Sequence, residues 1–148
     1  MAQDQEGDCH SDGTVRVLLA DDNPAMLEAT LRILEPEFTI VGTVGNGRDL
    51  LQVAADLRPD ILVLDISMPL LNGLEAARLL KREGSSARIV FLTIHEDREF
   101  VEESFFVGAM GYVVKPRLAV DLPIAVREAL LGRTFVSPGL SLPPCSSA

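Results

Sequence analysis

Four aliphatic residues in a row, Ile61-Leu62-Val63-Leu64, end on a single carboxylate, Asp65, followed by Ile66-Ser67-Met68-Pro69. A strand with one solvated face alternates apolar and polar side chains, so an unbroken aliphatic run reads as a strand covered on both faces, as in a parallel sheet between two layers of helices. Open sheets of that kind carry their working groups just beyond the carboxyl ends of the strands, where Asp65 falls. Met68-Pro69 then breaks the strand and leaves Asp65 on a loop.

The rest of the chain fits that frame. Residues 1–13 are polar and read as a mobile lead-in. Val15 to Ala20 reads as a first strand that stops at Asp21-Asp22, and Asn23-Pro24 supplies a cap with proline at the first helical position. Leu27, Thr30, Leu31 and Leu34 then recur at helical spacing before Pro36. Phe38 to Val44 is a second predicted strand, and Asn46 caps a helix that carries Leu50, Leu51 and Ala54 as far as Arg58-Pro59. After Pro69, Asn72 and Glu75 have capping-box spacing, and Gly84 stands past the last turn.

Arg88 to Thr93 reads as a fourth strand, and Asp97 to Val107 as an acidic helix with Val101, Ser104, Phe105 and Gly108 inward. Gly111 to Lys115 makes a fifth strand and Asp121 to Leu131 a fifth helix, ahead of Gly132. The predicted fold is therefore a doubly wound, three-layer α/β domain. Its five parallel strands take the order 2-1-3-4-5 if the sheet is flavodoxin-like, although the pattern alone also admits other doubly wound orders. The domain spans residues 14–132, and an irregular tail or linker remnant, rich in Ser, Pro and Gly, occupies 133–148.

Composition narrows the function classes. With 148 residues, 47% hydrophobic and 24% charged, the chain reads as one soluble globular domain. A net charge of -9 and no basic cluster argue against a nucleic-acid partner. No apolar run approaches the roughly 20 residues of a membrane span, and the polar, acidic N-terminus is unlike a secretory signal, so a cytoplasmic location is expected. Cys9 and Cys145 stand in the two tails and read as free thiols.

The strand ends carry the chemistry. Asp21-Asp22 follow the first strand, Asp65 the third, Thr93 the fourth and Lys115 the fifth. Singly, each has a structural explanation as a cap, a loop tie or a solvated charge. In a 2-1-3-4-5 sheet, however, these strands are consecutive neighbours and their ends converge on one cleft. Three crowded carboxylates need a cation or must take up protons, and Lys115 supplies one positive charge. The remainder suits a hard divalent ion with oxygen ligands, Mg²⁺. With the metal bound, Asp65 can attack a phosphoryl group to form an acyl phosphate, with Thr93 as hydroxyl donor to a phosphoryl oxygen.

These residues resemble the receiver domains of two-component response regulators, from about Thr14 to Leu131. The motifs are Leu19-Ala20-Asp21-Asp22, Leu64-Asp65 with Met68-Pro69, Thr93, and Tyr112 ahead of Lys115-Pro116. Gly108-Ala109-Met110-Gly111-Tyr112 and Gly132 to Pro138 are similar to the NarL/FixJ group. The resemblance implies a bacterial, cytoplasmic signalling protein rather than an enzyme, with Asp65 phosphorylated by a sensor histidine kinase. It implies that Asp22, Asp65 and the Ser67 carbonyl hold Mg²⁺ directly, with Asp21 acting through water. Lys115 is implied to contact the phosphoryl group, with a cis Lys115–Pro116 bond. Thr93 and Tyr112 are implied to form the switch, the hydroxyl moving toward the phosphoryl group and the ring turning inward behind it.

The chain departs from that pattern at Ile94, where the family usually carries a small residue, and a branched side chain there should narrow the approach to Asp65. His95 and the Ser67 side chain occupy positions that the family uses to tune acyl-phosphate hydrolysis, although a lone exposed histidine is ordinarily solvated surface. Phe106, one position past the inward Phe105, is expected on the helix 4, strand 5 and helix 5 face that the family uses for homodimers and downstream partners. The closing residues, Leu140 to Ala148, have neither the length nor the basic face of a helix-turn-helix. This chain is accordingly read as making no DNA contact itself, either as a stand-alone receiver or as part of a longer regulator.

Three other readings compete. A phosphate-independent interaction module would keep the fold but not need the full acidic set. A Mg²⁺-dependent phosphatase with an aspartyl-phosphate intermediate would carry a second aspartate where Ser67 stands. A nucleotide-binding domain would need a glycine-rich loop after the first strand, which is absent.

Overall fold

The computed structural model describes residues 14–140, so Cys9, Cys145 and the lead-in 1–13 lie outside the described residues. The elements, in chain order, are β1 (Arg16–Ala20), α1 (Pro24–Leu34), β2 (Thr39–Val44), α2 (Gly47–Leu57), β3 (Ile61–Leu64) and α3 (Gly73–Arg82). They continue with β4 (Arg88–Thr93), α4 (Arg98–Phe106), β5 (Gly111–Val114), a 3₁₀ turn (Lys115–Arg117), α5 (Leu118–Leu130) and β6 (Phe135–Val136). The strands pair in parallel in the order β2-β1-β3-β4-β5-β6. This is the flavodoxin-like arrangement.

Alternation along the aliphatic runs explains why both faces are apolar. Leu18, Leu62, Leu64, Ile89, Phe91 and Tyr112 pack against Leu50 and Ala54 of α2, Ala76, Ala77 and Leu80 of α3, and Val101 of α4. Their strand neighbours Val17, Leu19, Ile61, Val63, Val90 and Val113 pack against Leu34 of α1 and Leu122, Ala125, Val126 and Ala129 of α5. Each fully buried aliphatic side chain contributes about 1.5–3 kcal/mol.

The helix ends follow the predicted chemistry. Asn23 Oδ1 accepts from the Ala25 and Met26 amides, Asn46 Oδ1 from the Asp49 amide and Asn72 Oδ1 from the Glu75 amide. Two arginines at strand starts satisfy carbonyls at helix ends: Arg16 donates to Leu57 and Arg58, and Arg88 to Ala129 and Leu130.

Three expectations are corrected. The sheet has six strands, because Phe135 and Val136, within the stretch expected to be irregular, pair with Gly111 and Tyr112. Gly132 makes this possible: at φ +80 it turns the chain out of α5 in a conformation that suits glycine. Helix α5 begins at Leu118, not Asp121, and holds Pro123 inside it. The preceding 3₁₀ turn runs directly into it, and burial of Leu122, Ala125 and Val126 outweighs the hydrogen bond that the proline cannot make. Finally, the Lys115–Pro116 bond is trans, as are all peptide bonds among the described residues. Trans is favoured by about 0.5–1 kcal/mol even before proline, and the Leu118 amide closes this turn by donating to the Lys115 carbonyl.

Candidate functional site

β1, β3, β4 and β5 are consecutive in the sheet, so their carboxyl ends bring Asp21, Asp22, Asp65, Thr93 and Lys115 to one edge. The local backbone is tightly held there. The Asp21 amide donates to the Val44 carbonyl and the Asp65 amide to the Ala20 carbonyl. The Gly73 amide donates to the Ile66 carbonyl, docking the start of α3 under the Asp65 loop. A Cβ at Gly73 would lie 2.1 Å from the Asp65 carbonyl oxygen, so only glycine permits this approach. Leu70, exposed in the same loop, stands in the left-handed region at φ +71, where non-glycine residues are uncommon.

Lys115 Nζ bridges two carboxylates, 2.9 Å from Asp21 Oδ2 and 3.0 Å from Asp65 Oδ2. Asp21 and Asp65 are buried, whereas Asp22 is exposed at the mouth. Asp21 Oδ1 also accepts from the Asn23 amide at 2.9 Å, and Asp65 Oδ1 from the Ser67 amide at 3.4 Å. Burial pushes the Asp21 carboxyl above its ordinary value and the Asp65 charge adds to this, against the hydrogen bonds from Lys115 and Asn23. For Lys115, burial acts to lower the pKa, but the hydrogen bonds and charges of Asp21 and Asp65 outweigh it and raise it.

Asp21, Asp22 and Asp65 each offer an oxygen within 4.8 Å of the others. An all-carboxylate set with excess negative charge and an open side fits Mg²⁺, which takes oxygen ligands and keeps several waters. Ser67, whose carbonyl was expected to join them, lies on the exposed loop two residues past Asp65.

Thr93 is fully buried, and its Oγ1 accepts from the His95 amide at 3.3 Å. Tyr112 is also fully buried, its ring inward and its hydroxyl donating to the His95 carbonyl at 2.8 Å. Burial raises the tyrosine pKa well above its ordinary value, and Asp97, Asp65 and Glu96 add to this. Ile94 is exposed on the rim, and Phe106 is 85% exposed on α4.

His95 departs from the lone exposed histidine expected from the sequence. It is half-buried, its Nε2 lies 2.8 Å from Ser67 Oγ, and its ring stacks on Phe100 with centroids 4.4 Å apart. Sequence reasoning missed Phe100, as well as Asp121 and Ser137, two buried polar residues joined to each other at 2.8 Å. The spacing of Arg117 and Asp121, four residues apart, was an available signal for the ion pair that they form.

Comparison with known proteins agrees with this geometry. The family model described as the response regulator receiver domain matches residues 17–127. The transcriptional regulatory protein MctR of Rhizobium johnstonii is 32% identical over 128 residues, 85% of this chain and 60% of that protein. The nitrate/nitrite response regulator protein NarL of Escherichia coli is 33% identical over 127 residues, 84% of this chain and 59% of that protein. The chain thus spans about three fifths of the length of these curated relatives. Among solved structures, a LuxR-family two-component response regulator from Aurantimonas is 32% identical with a TM-score of 0.81, covering 85% of this chain and 91% of that one. No helix among the described residues is long and apolar enough to cross a membrane. The carboxylate edge, the strand order and the family match from β1 into α5 agree, and the chain belongs to the response regulator receiver domain family, within its NarL/LuxR-type branch.

Proposed function

We propose that this protein is a cytoplasmic phosphoryl-accepting switch in which Asp65 takes a phosphoryl group from a sensor histidine kinase. The observation that carries this reading is the Lys115 ammonium bridging Asp21 and Asp65 beside Asp22, which leaves one lysine against three carboxylates. Asp21, Asp22 and Asp65, with the Ser67 carbonyl, would hold Mg²⁺, which when bound draws charge from the transferring phosphoryl oxygens. An Asp65 oxygen attacks phosphorus, a new P–O bond forms, the P–N bond of the phosphohistidine breaks and its electron pair returns to the imidazole.

Lys115 then pairs with a phosphoryl oxygen, and the Thr93 hydroxyl donates to another. Because Thr93 Oγ1 and the Tyr112 hydroxyl both bond to the backbone of His95, a movement of Thr93 is felt at Tyr112. The readout is a change in the face formed by α4, β5 and α5, with Phe106 as an apolar contact for a second copy or a downstream protein. Ser67 supports this reading over a phosphatase: its hydroxyl is tied to His95, and no second acid stands in its place.

Intact-protein mass after incubation with a small acyl phosphate and Mg²⁺ tests the proposal. One phosphoryl group should be added to the wild type and none to Asp65→Asn. No gain with that donor or with a competent kinase would overturn it in favour of phosphate-independent binding.

A further inference from the structure

The segment after Gly132 reaches the turn that carries Lys115. Beyond the paired residues of β6, the Ser137 amide donates to the Tyr112 carbonyl at 3.0 Å, and its hydroxyl accepts from the Val114 amide at 3.1 Å. The same hydroxyl donates to Asp121 Oδ2 at 2.8 Å. Arg117 Nε donates to that oxygen at 2.6 Å, and Arg117 Nη2 to Asp121 Oδ1 at 3.3 Å. Ser137 and Asp121 are buried, and neither takes part in the chemistry described above. A buried hydroxyl and a buried carboxylate persist only where each is paired, and here they pair with each other and with the turn.

The two points that they hold flank the lysine. Val114 precedes Lys115, and Arg117 follows it by two residues with Pro116 between. Proline fixes its own φ, so a turn held at both ends around Pro116 has little freedom left. The lysine at its head must place Nζ within 3.0 Å of two carboxylates just past the ends of β1 and β3.

We propose that Ser137 and Asp121 are positioning residues for Lys115, joining the C-terminal strand to the phosphoryl-binding site through the Val114 amide and the Arg117 side chain. This rests on the phosphoacceptor reading given above. Labelling of Asp65 by a small acyl phosphate with Mg²⁺ should be ~3- to 10-fold slower in Ser137→Ala, measured on folded protein well below its melting temperature. Ser137→Thr keeps the hydroxyl and should restore most of the rate. Asp121→Asn keeps an acceptor for Ser137 but weakens the hold on Arg117; it should also slow labelling, and it carries the test if Ser137→Ala does not fold. A merely structural role would lower the melting temperature and leave the rate unchanged. Labelling at the wild-type rate in the folded Ser137→Ala and Asp121→Asn variants, or a slow Ser137→Thr, would overturn the proposal. A wild type that takes no phosphoryl group would instead overturn the phosphoacceptor reading itself.

Discussion

Ser67 and His95 are hydrogen bonded side chain to side chain, Oγ to Nε2 at 2.8 Å, so the loop after β3 is tied to the loop after β4. The same histidine stacks on Phe100 of α4 and carries the backbone groups bonded by Thr93 and Tyr112. Both loops rim the Asp65 carboxylate, and the tether limits how far they can part to admit water. Ser67→Ala and His95→Ala should each shorten the lifetime of the phosphorylated protein by a similar factor. The double variant should be no worse than either single one, since partners in one interaction are not additive. A phosphate-release time course for the three variants checks this; independent, multiplicative effects would refute a shared tether.

Ile94 stands exposed on the same rim. Ile94→Ala should speed labelling by a small phosphodonor about 2- to 5-fold, a gain of less than about 1 kcal/mol in the barrier. An unchanged rate would show that the side chain does not narrow the approach.

Asp21 has a pKa raised by burial and by the Asp65 charge. A carboxyl whose folded pKa lies above its unfolded value contributes stability that is complete below the unfolded value, near 3.8, and is lost as pH rises through the folded value. At neutral pH without Mg²⁺ this carboxylate therefore works against folding. Asp21→Asn should raise the melting temperature by about 2–5 °C at pH 7. That gain should shrink toward zero as pH falls to the ordinary aspartate range. A gain independent of pH would point to a cause other than ionisation.

Tyr112 donates a single hydrogen bond from a fully buried ring. Tyr112→Phe should cost about 1 kcal/mol, and Tyr112→Ala about 3–5 kcal/mol because it leaves a cavity between β5 and the helices. Urea unfolding of the two variants separates the hydrogen bond of the hydroxyl from the packing of the ring.

Phe106 projects from α4 at 85% exposure. Phe106→Ala should leave folding stability within about 0.5 kcal/mol of wild type. It should weaken self-association of the phosphorylated protein or its binding to a downstream partner. Sedimentation of wild type and variant, with and without phosphodonor, checks this.

The strands and the acidic edge were legible because each rests on a local pattern: an aliphatic run such as Ile61 to Leu64, then a charge at its end. The three asparagine caps were legible for the same reason. What escaped depends on distance along the chain. Ser67 and His95 are 28 residues apart, and no period relates them. β6 is two residues long, too short for alternation to register, and exists because β5 offers it an edge. The start of α5 was misplaced because Pro123 marks where a helix weakens, whereas the Arg117–Asp121 pair and the buried residues behind it decide where this one begins. The cis bond was implied by resemblance alone, and the local turn is closed with a trans bond.

Without β6, strand β5 would form the outer margin of the sheet, with four buried residues, Gly111 to Val114, open along one side to pairing with another chain. Such margins template intermolecular strand addition, and proteins blunt them with short, interrupted strands. Phe135 and Val136 do this here, and Pro138 cannot donate to an extended ladder. A chain cut after Gly132 would therefore end its sheet on a strand of four residues in place of one of two, the longer margin being the better template for strand addition.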